Sequence, residues 1–184
     1  MLRIVLIVLY TGLGLGANSA LADVGAAKAV LDGDMRKLVF HDTAKDLPAE
    51  VLTDLEGAER GLAEWQGQWV VLNFWATWCA PCRKEMPSLD RLAASVADKG
   101  VSVVTIATGR NPPPAITRFF EEIGVQNLPV LLDPKSALAR QMGVLGLPLT
   151  VILNPAGQEV ARLIGDAEWD SADAKAMIEA LIAP

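Results

Sequence analysis

Two cysteines, Cys79 and Cys82, are the only sulfur nucleophiles in the 184-residue chain, and two residues separate them in Trp78-Cys79-Ala80-Pro81-Cys82. Before them comes an apolar run, Trp69 to Phe74, that reads as a buried strand; after them apolar positions recur at helical spacing. A cysteine at such a handover meets unpaired backbone N–H groups and the positive end of a helix dipole, both of which favour a thiolate. Cys79 is therefore the candidate nucleophile and Cys82, one turn later and buried, the candidate resolving thiol. Lowering a thiol pKa from about 8.5 to about 7 raises the thiolate fraction at neutral pH roughly fifteenfold, while nucleophilicity falls about fivefold. The larger gain is to Cys79 as a leaving group.

Two other uses of the pair are weaker. A bridge across a four-residue loop stabilises by only about 2 kcal/mol on the chain-entropy estimate, so it is a poor staple. A structural zinc needs four ligands, and the chain offers two cysteines and one histidine, His41, with no second ligand beside it in sequence. His41 reads as an ordinary surface or strand-end residue.

The elements that must position the pair can be read in order. Residues 1–22 have Arg3, an apolar stretch from Ile4 to about Leu15, and Ala20-Leu21-Ala22 before Asp23: the pattern of an export signal, with an uncleaved membrane anchor over residues 4–22 as the alternative. No cysteine stands near the cleavage site, so lipid attachment is not indicated. Residues 23–37 read as a leader, and residues 38–184 as one domain, since the length and the 52% hydrophobic content support a single sizeable core. Leu38-Val39-Phe40 is a short strand candidate. Leu47 to Gly67 reads as turns with a strand near Val51 to Leu55 and a helical turn at Leu62 to Trp65.

The helix opened by the cysteines runs to Ala97 with Pro87 inside it, where the missing N–H predicts a kink. Val101 to Ala107 is a central strand, and Thr108 to Pro114, with three prolines, a stiff connection or a partner-contacting rim. Ile116, Phe119, Phe120 and Ile123 mark a helix ended by Gly124. Val130 to Leu132 is a strand, Pro134 to Met142 a short helix, and Leu149 to Leu153 with Glu159 to Ile164 a hairpin across Asn154-Pro155-Ala156-Gly157. Trp169 to Ala183 closes the chain as a helix with Ser171 as a possible cap.

The net charge of −6 excludes a general nucleic-acid binder, because phosphate contacts need a basic surface. An exported chain with a single vicinal cysteine pair holds its fold without cross-links and leaves that pair free for chemistry.

The run Val71-Leu72-Asn73-Phe74-Trp75-Ala76-Thr77-Trp78-Cys79-Ala80-Pro81-Cys82-Arg83-Lys84-Glu85-Met86-Pro87 resembles the active-site signature of the TlpA-like thiol-disulfide oxidoreductases, the group of TlpA, ResA and CcmG. The resemblance extends from about Leu62 to Ile182. It implies an α/β, thioredoxin-like fold: a central mixed sheet flanked by helices, with an N-terminal β extension. It also implies a cis proline facing the cysteines at Pro148, whose exposed neighbouring backbone at Leu147 can pair with an extended substrate strand. The CcmG pattern has glutamate after that proline, whereas Leu149 is apolar here.

Glu85, on the same helical face as Cys82, matches the active-site glutamate of ResA-like proteins and can exchange protons with Cys82; the alternative is a solvated helix charge. Asn73 stands where thioredoxin has a buried acid, and an amide cannot shuttle protons. Trp78 shields the first thiol or simply packs, and Pro81 completes the motif.

What the family does implies an exported, periplasmic reductant of protein disulfides. It needs no cofactor beyond the Cys79–Cys82 pair, acts on an apocytochrome or copper-site protein, and is recharged by a membrane electron-donor protein. Gly165-Asp166-Ala167-Glu168-Trp169 looks most like TlpA and tilts the expectation toward copper-site cysteines. The rivals are a disulfide oxidant or isomerase, and a copper-binding chaperone. Thioredoxin-like copper carriers place a histidine after the cysteines, and none occurs there.

Overall fold

Apolar residues on both sides of the run Trp69–Trp75 make it the centre of the molecule. A computed structural model describes residues 24–183, so the export signal or anchor expected over residues 1–22 lies outside the described residues. The strands are β1 (Val39–Lys45), β2 (Leu52–Thr53), β3 (Glu59–Arg60), β4 (Trp69–Trp75), β5 (Val101–Thr108), β6 (Val130–Asp133), β7 (Leu149–Leu153) and β8 (Glu159–Ile164). The helices are α1 (Ala80–Val96), α2 (Pro113–Ile123), α3 (Ala137–Gln141) and α4 (Ala172–Leu181), with 3-10 turns at Gly33–Lys37 and Leu62–Trp65. One mixed sheet has the order β1-β8-β7-β4-β5-β6-β2-β3; β4, β5 and β6 are parallel and the other pairs antiparallel.

Every residue of β4 is buried, and the period of two sorts them between two cores. Trp69, Val71 and Trp75 pack with Met86, Leu89 and Leu92 of α1, Phe119 of α2 and Met177 and Ile178 of α4. Val70, Leu72 and Phe74 pack on the other face with Leu138 and Ala139 of α3. Asn73 shares the parity of Val71 and Trp75, so it faces the helix that carries the cysteines. The β7–β8 hairpin turns at Asn154, whose C=O accepts from Gly157 N at 2.8 Å, Gly157 supplying the positive φ of +79°. Ser171 caps α4, its Oγ accepting from Ala174 N at 3.1 Å.

Three expectations change. Residues 24–29 are helical and Gly33–Lys37 is a 3-10 turn, with Ala27 and Met35 fully buried against the main core; the stretch read as a leader packs as part of the domain. Ala27, Leu31, Met35 and Leu38 carry the apolar spacing responsible, interrupted at Asp32-Gly33. Strand β1 runs to Lys45 because it pairs along β8. Helix α3 starts only at Ala137, since the Asp133 carboxylate takes Ala137 N and Ala139 N at 2.6 and 3.0 Å and holds the preceding residues as a turn.

Candidate active site

Strand β4 ends at Trp75, and residues 76–78 carry the chain across to α1. That crossing is held by a residue the sequence reading passed over. Buried Asn111, in the proline-rich connection after β5, accepts from Thr77 N at 2.8 Å and Thr77 Oγ1 at 3.0 Å, and donates to Thr108 O at 2.7 Å. The connection thus fixes the loop that presents the cysteines. The only signal in the sequence was an asparagine directly before three prolines. Asn111→Ala leaves the Thr77 N–H without its partner and is expected to lower stability by about 2 kcal/mol, measured by urea unfolding.

Cys79 is the N-cap of α1 and is joined to Cys82 as a disulfide. Its Sγ accepts from Cys82 N at 3.3 Å, the backbone donor that stabilises charge on this sulfur when the bond opens. Pro81 occupies the first turn of α1, where its missing N–H costs nothing, and is exposed. Arg83 lies over the Phe119 ring at 4.0 Å from its centroid. Cys79 is 6% exposed and Cys82 fully buried, so an incoming sulfur reaches only the first. Trp78 is 67% exposed: it flanks Cys79 without packing into the core.

The Leu147–Pro148 peptide bond is cis, as the resemblance implied. Leu149 pairs with Phe74 near the end of β4, so Leu147 and Pro148 run past the sheet at the end where β4 leaves for Cys79. Pro148 O accepts from Gly165 N at 3.0 Å.

Glu85 is the largest departure from a surface charge. It is 2% exposed and meets three donors: Asn73 Nδ2 at 2.9 Å, Ala167 N at 3.1 Å and Trp169 Nε1 at 3.2 Å. Burial pushes its carboxyl up to about 7, against the pull of those hydrogen bonds. A buried acid one helical turn beyond Cys82 and poised near neutrality has the affinity that general acid–base work requires. Trp169, expected to begin the last helix, instead lies in the strap 165–171 before it and is fully buried.

His41 stands apart from the cysteines. It lies within β1, its Nε2 at 2.6 Å from Glu159 Oε1, and Glu159 also takes Arg162 Nε at 2.6 Å. Among the described residues no three His, Cys, Asp or Glu side chains gather as a metal ion would need. No helix among them is long and apolar enough to cross a membrane.

Residues 41–160 match the model of the AhpC/TSA family. The chain is 34% identical over 122 residues to a thiol-disulfide oxidoreductase ResA from Bacillus thuringiensis strain Al Hakam, covering 66% of this chain and 69% of the relative. Among solved structures, a candidate thiol:disulfide interchange protein DsbE from Chlorobium tepidum superposes with a TM-score of 0.68 at 27% identity, over 77% of this chain and 99% of the other. The exposed lipoprotein thioredoxin of Streptococcus pneumoniae strain TIGR4 gives 0.60 at 26%, over 73% and 98%.

Proposed function

Because the chain belongs to the AhpC/TSA family and is a thioredoxin-like thiol-disulfide oxidoreductase, we propose that it reduces disulfides of protein substrates outside the cytoplasm. The Cys79 thiolate attacks a substrate disulfide, forming a mixed disulfide and releasing one substrate thiolate. Cys82, giving its proton to the Glu85 carboxylate, then attacks Cys79 Sγ; the second substrate thiolate leaves, and two electrons have passed to the substrate. The carrying observation is the unequal exposure of two bonded sulfurs at a helix N-terminus, 6% for Cys79 and none for Cys82.

The electrons travel on the cysteine pair itself, with no further cofactor. Export to the periplasm, free or tethered through residues 4–22, is supported by the pattern of the first 22 residues. The similar pneumococcal protein is an exposed lipoprotein. For the substrate, an apocytochrome or copper-site protein of respiratory-complex assembly, and for the donor, a membrane electron-transfer protein, the support is the resemblance of the cysteine run and of residues 165–169. A protein substrate also fits the exposed apolar side chains at this end of the sheet: Trp78, Leu145 two residues before Leu147, and Ile164, which pairs with Leu149.

The test is a trap. Cys82→Ser, expressed with its natural partners, is expected to accumulate a mixed disulfide through Cys79 with a cysteine-bearing exported protein. No adduct, in a protein whose Cys79 still reacts with a small disulfide, would sink the protein-reductase reading. Direction is checked by the reduction potential, where about 30 mV corresponds to about 1.4 kcal/mol for this two-electron couple.

A further inference from the structure

Glu85 reaches its buried position because α1 turns one face to the sheet, and what it meets there comes from other elements. Asn73 Nδ2, on β4, donates to Oε1 at 2.9 Å. On the far side, Ala167 N and Trp169 Nε1, from the strap 165–171, donate to Oε2 at 3.1 and 3.2 Å. All three are fixed donors aimed at one carboxyl group, an arrangement that suits an anion with lone pairs to fill.

The supports for these donors are themselves specific. Asn73 Nδ2 also donates to Thr150 Oγ1 on β7 at 2.9 Å, while Asn73 Oδ1 is buried with no hydrogen-bond partner. Turning the amide over would press Oδ1 against the ionised Glu85 and strand two N–H donors instead of one carbonyl, the costlier fault. The amide is thus held as a donor to Glu85 at the expense of its own carbonyl. Trp169 is pinned through its backbone N–H, which donates to Ser88 Oγ on α1 at 3.1 Å, while Ser88 Oγ donates to Glu85 O at 2.7 Å.

We infer that Asn73 and Trp169 are positioning residues for the proton transfer: their hydrogen bonds orient the Glu85 carboxyl and set how readily it takes a proton from Cys82. The inference rests on the reading of Glu85 as the proton partner of Cys82. In this role each side chain acts through its hydrogen bond to Glu85.

The charges around the carboxyl are accounted for on every packed element. The strap carries Asp166, Glu168 and Asp170, the 3-10 turn Asp34 and Lys37, and α1 Lys84 and Arg91, while Asn73 and Thr150 are uncharged. Most of these charges are spent on one another. Lys84 Nζ pairs with Asp166 Oδ2 at 3.2 Å, Lys37 Nζ with Asp34 Oδ1 at 2.7 Å, and Arg91 with Asp170 and Glu168. The Lys84 and Arg91 pairs tie the strap to α1 over Glu85, and Asp34 Oδ2 accepts from Glu168 N at 3.1 Å. Three neutral donors touch the carboxyl directly, while the nearby Asp166 carboxylate adds to the upward push of burial.

The experiment follows the Glu85 carboxyl carbon by 13C NMR against pH in the oxidised protein, the resonance assigned by its loss in Glu85→Gln. Trp169→Phe keeps an aromatic ring, smaller than the indole, and deletes the N–H; Asn73→Leu keeps the branched shape and deletes the amide. Each variant is expected to raise the midpoint by about one pH unit, a tenfold rise in proton affinity, because each removes a donor to the anion. Asn111→Ala, which weakens the fold without touching Glu85, is expected to leave the midpoint in place. A wild-type midpoint in either Trp169→Phe or Asn73→Leu overturns the inference. This titration needs no turnover, so the underlying reading fails separately: Glu85→Gln would then resolve the mixed disulfide at the wild-type rate.

Discussion

Cys79→Ser is expected to lose protein-disulfide reduction by on the order of a thousandfold or more, whereas Cys82→Ser keeps the first attack and stalls after it. The asymmetry follows from the helix end. Cys79, the N-cap, is the sulfur that accepts the Cys82 N–H and the one that has any exposed surface. Serine retains the position and the hydrogen bond but is protonated at any working pH, so neither the attack nor the leaving-group role survives. Stopped-flow reduction of a protein disulfide by each dithiol or monothiol form measures this. Turnover at the normal rate by folded Cys79→Ser would remove the nucleophile from its assigned place and leave the account without a first step.

A second large effect is expected in the dependence of stability on pH, and its sign is set by Glu85. Its folded-state value of about 7 lies above the ordinary 4.5, so between those values the folded chain binds more protons than the unfolded one. Stability therefore falls as pH rises through that window, by roughly 3 kcal/mol in total once Glu85 is ionised in both states. Well below pH 4.5 the group is protonated in both states, the stability is at its plateau and Glu85 adds no pH dependence.

Glu159 works in the opposite sense. Burial raises its carboxyl, but hydrogen bonds from Arg162 and His41 outweigh that and the net displacement is downward, so its contribution is lost as pH falls. Urea unfolding at intervals from pH 4 to pH 9 is expected to show the decline above pH 5 in the wild type and its absence in Glu85→Gln, which keeps a carbonyl oxygen for the strap donors. At pH 8 the variant is expected to be the more stable protein. A wild-type slope retained in Glu85→Gln would show that another group carries it.

Much of this molecule is written in local pattern. The cysteines at the strand-to-helix handover, the buried run that becomes β4, the hairpin at Asn154 and the Ser171 cap are all properties of a few consecutive residues, and each appears where periodicity and turn chemistry put it. The cis bond at Pro148 was legible only through resemblance, since a trans proline at a strand start has the same sequence. Local pattern also misled where it was interrupted: Asp32-Gly33 broke the apolar spacing of residues 27–38, and a docked segment read as a leader.

The chemistry beyond the cysteines was decided by tertiary structure. Whether Glu85 was a solvated charge or a buried acid depended on what covers α1, and the cover is a strap more than 80 residues away in sequence. Asn73, dismissed as unable to shuttle protons, gained a part once strand parity and sheet order set it facing that acid. Asn111 became the anchor of the cysteine loop because β5 lies beside β4. Sequence pattern encodes which face of an element is buried; it does not encode which distant donor meets a buried polar group, because that depends on how the elements are stacked and in what order.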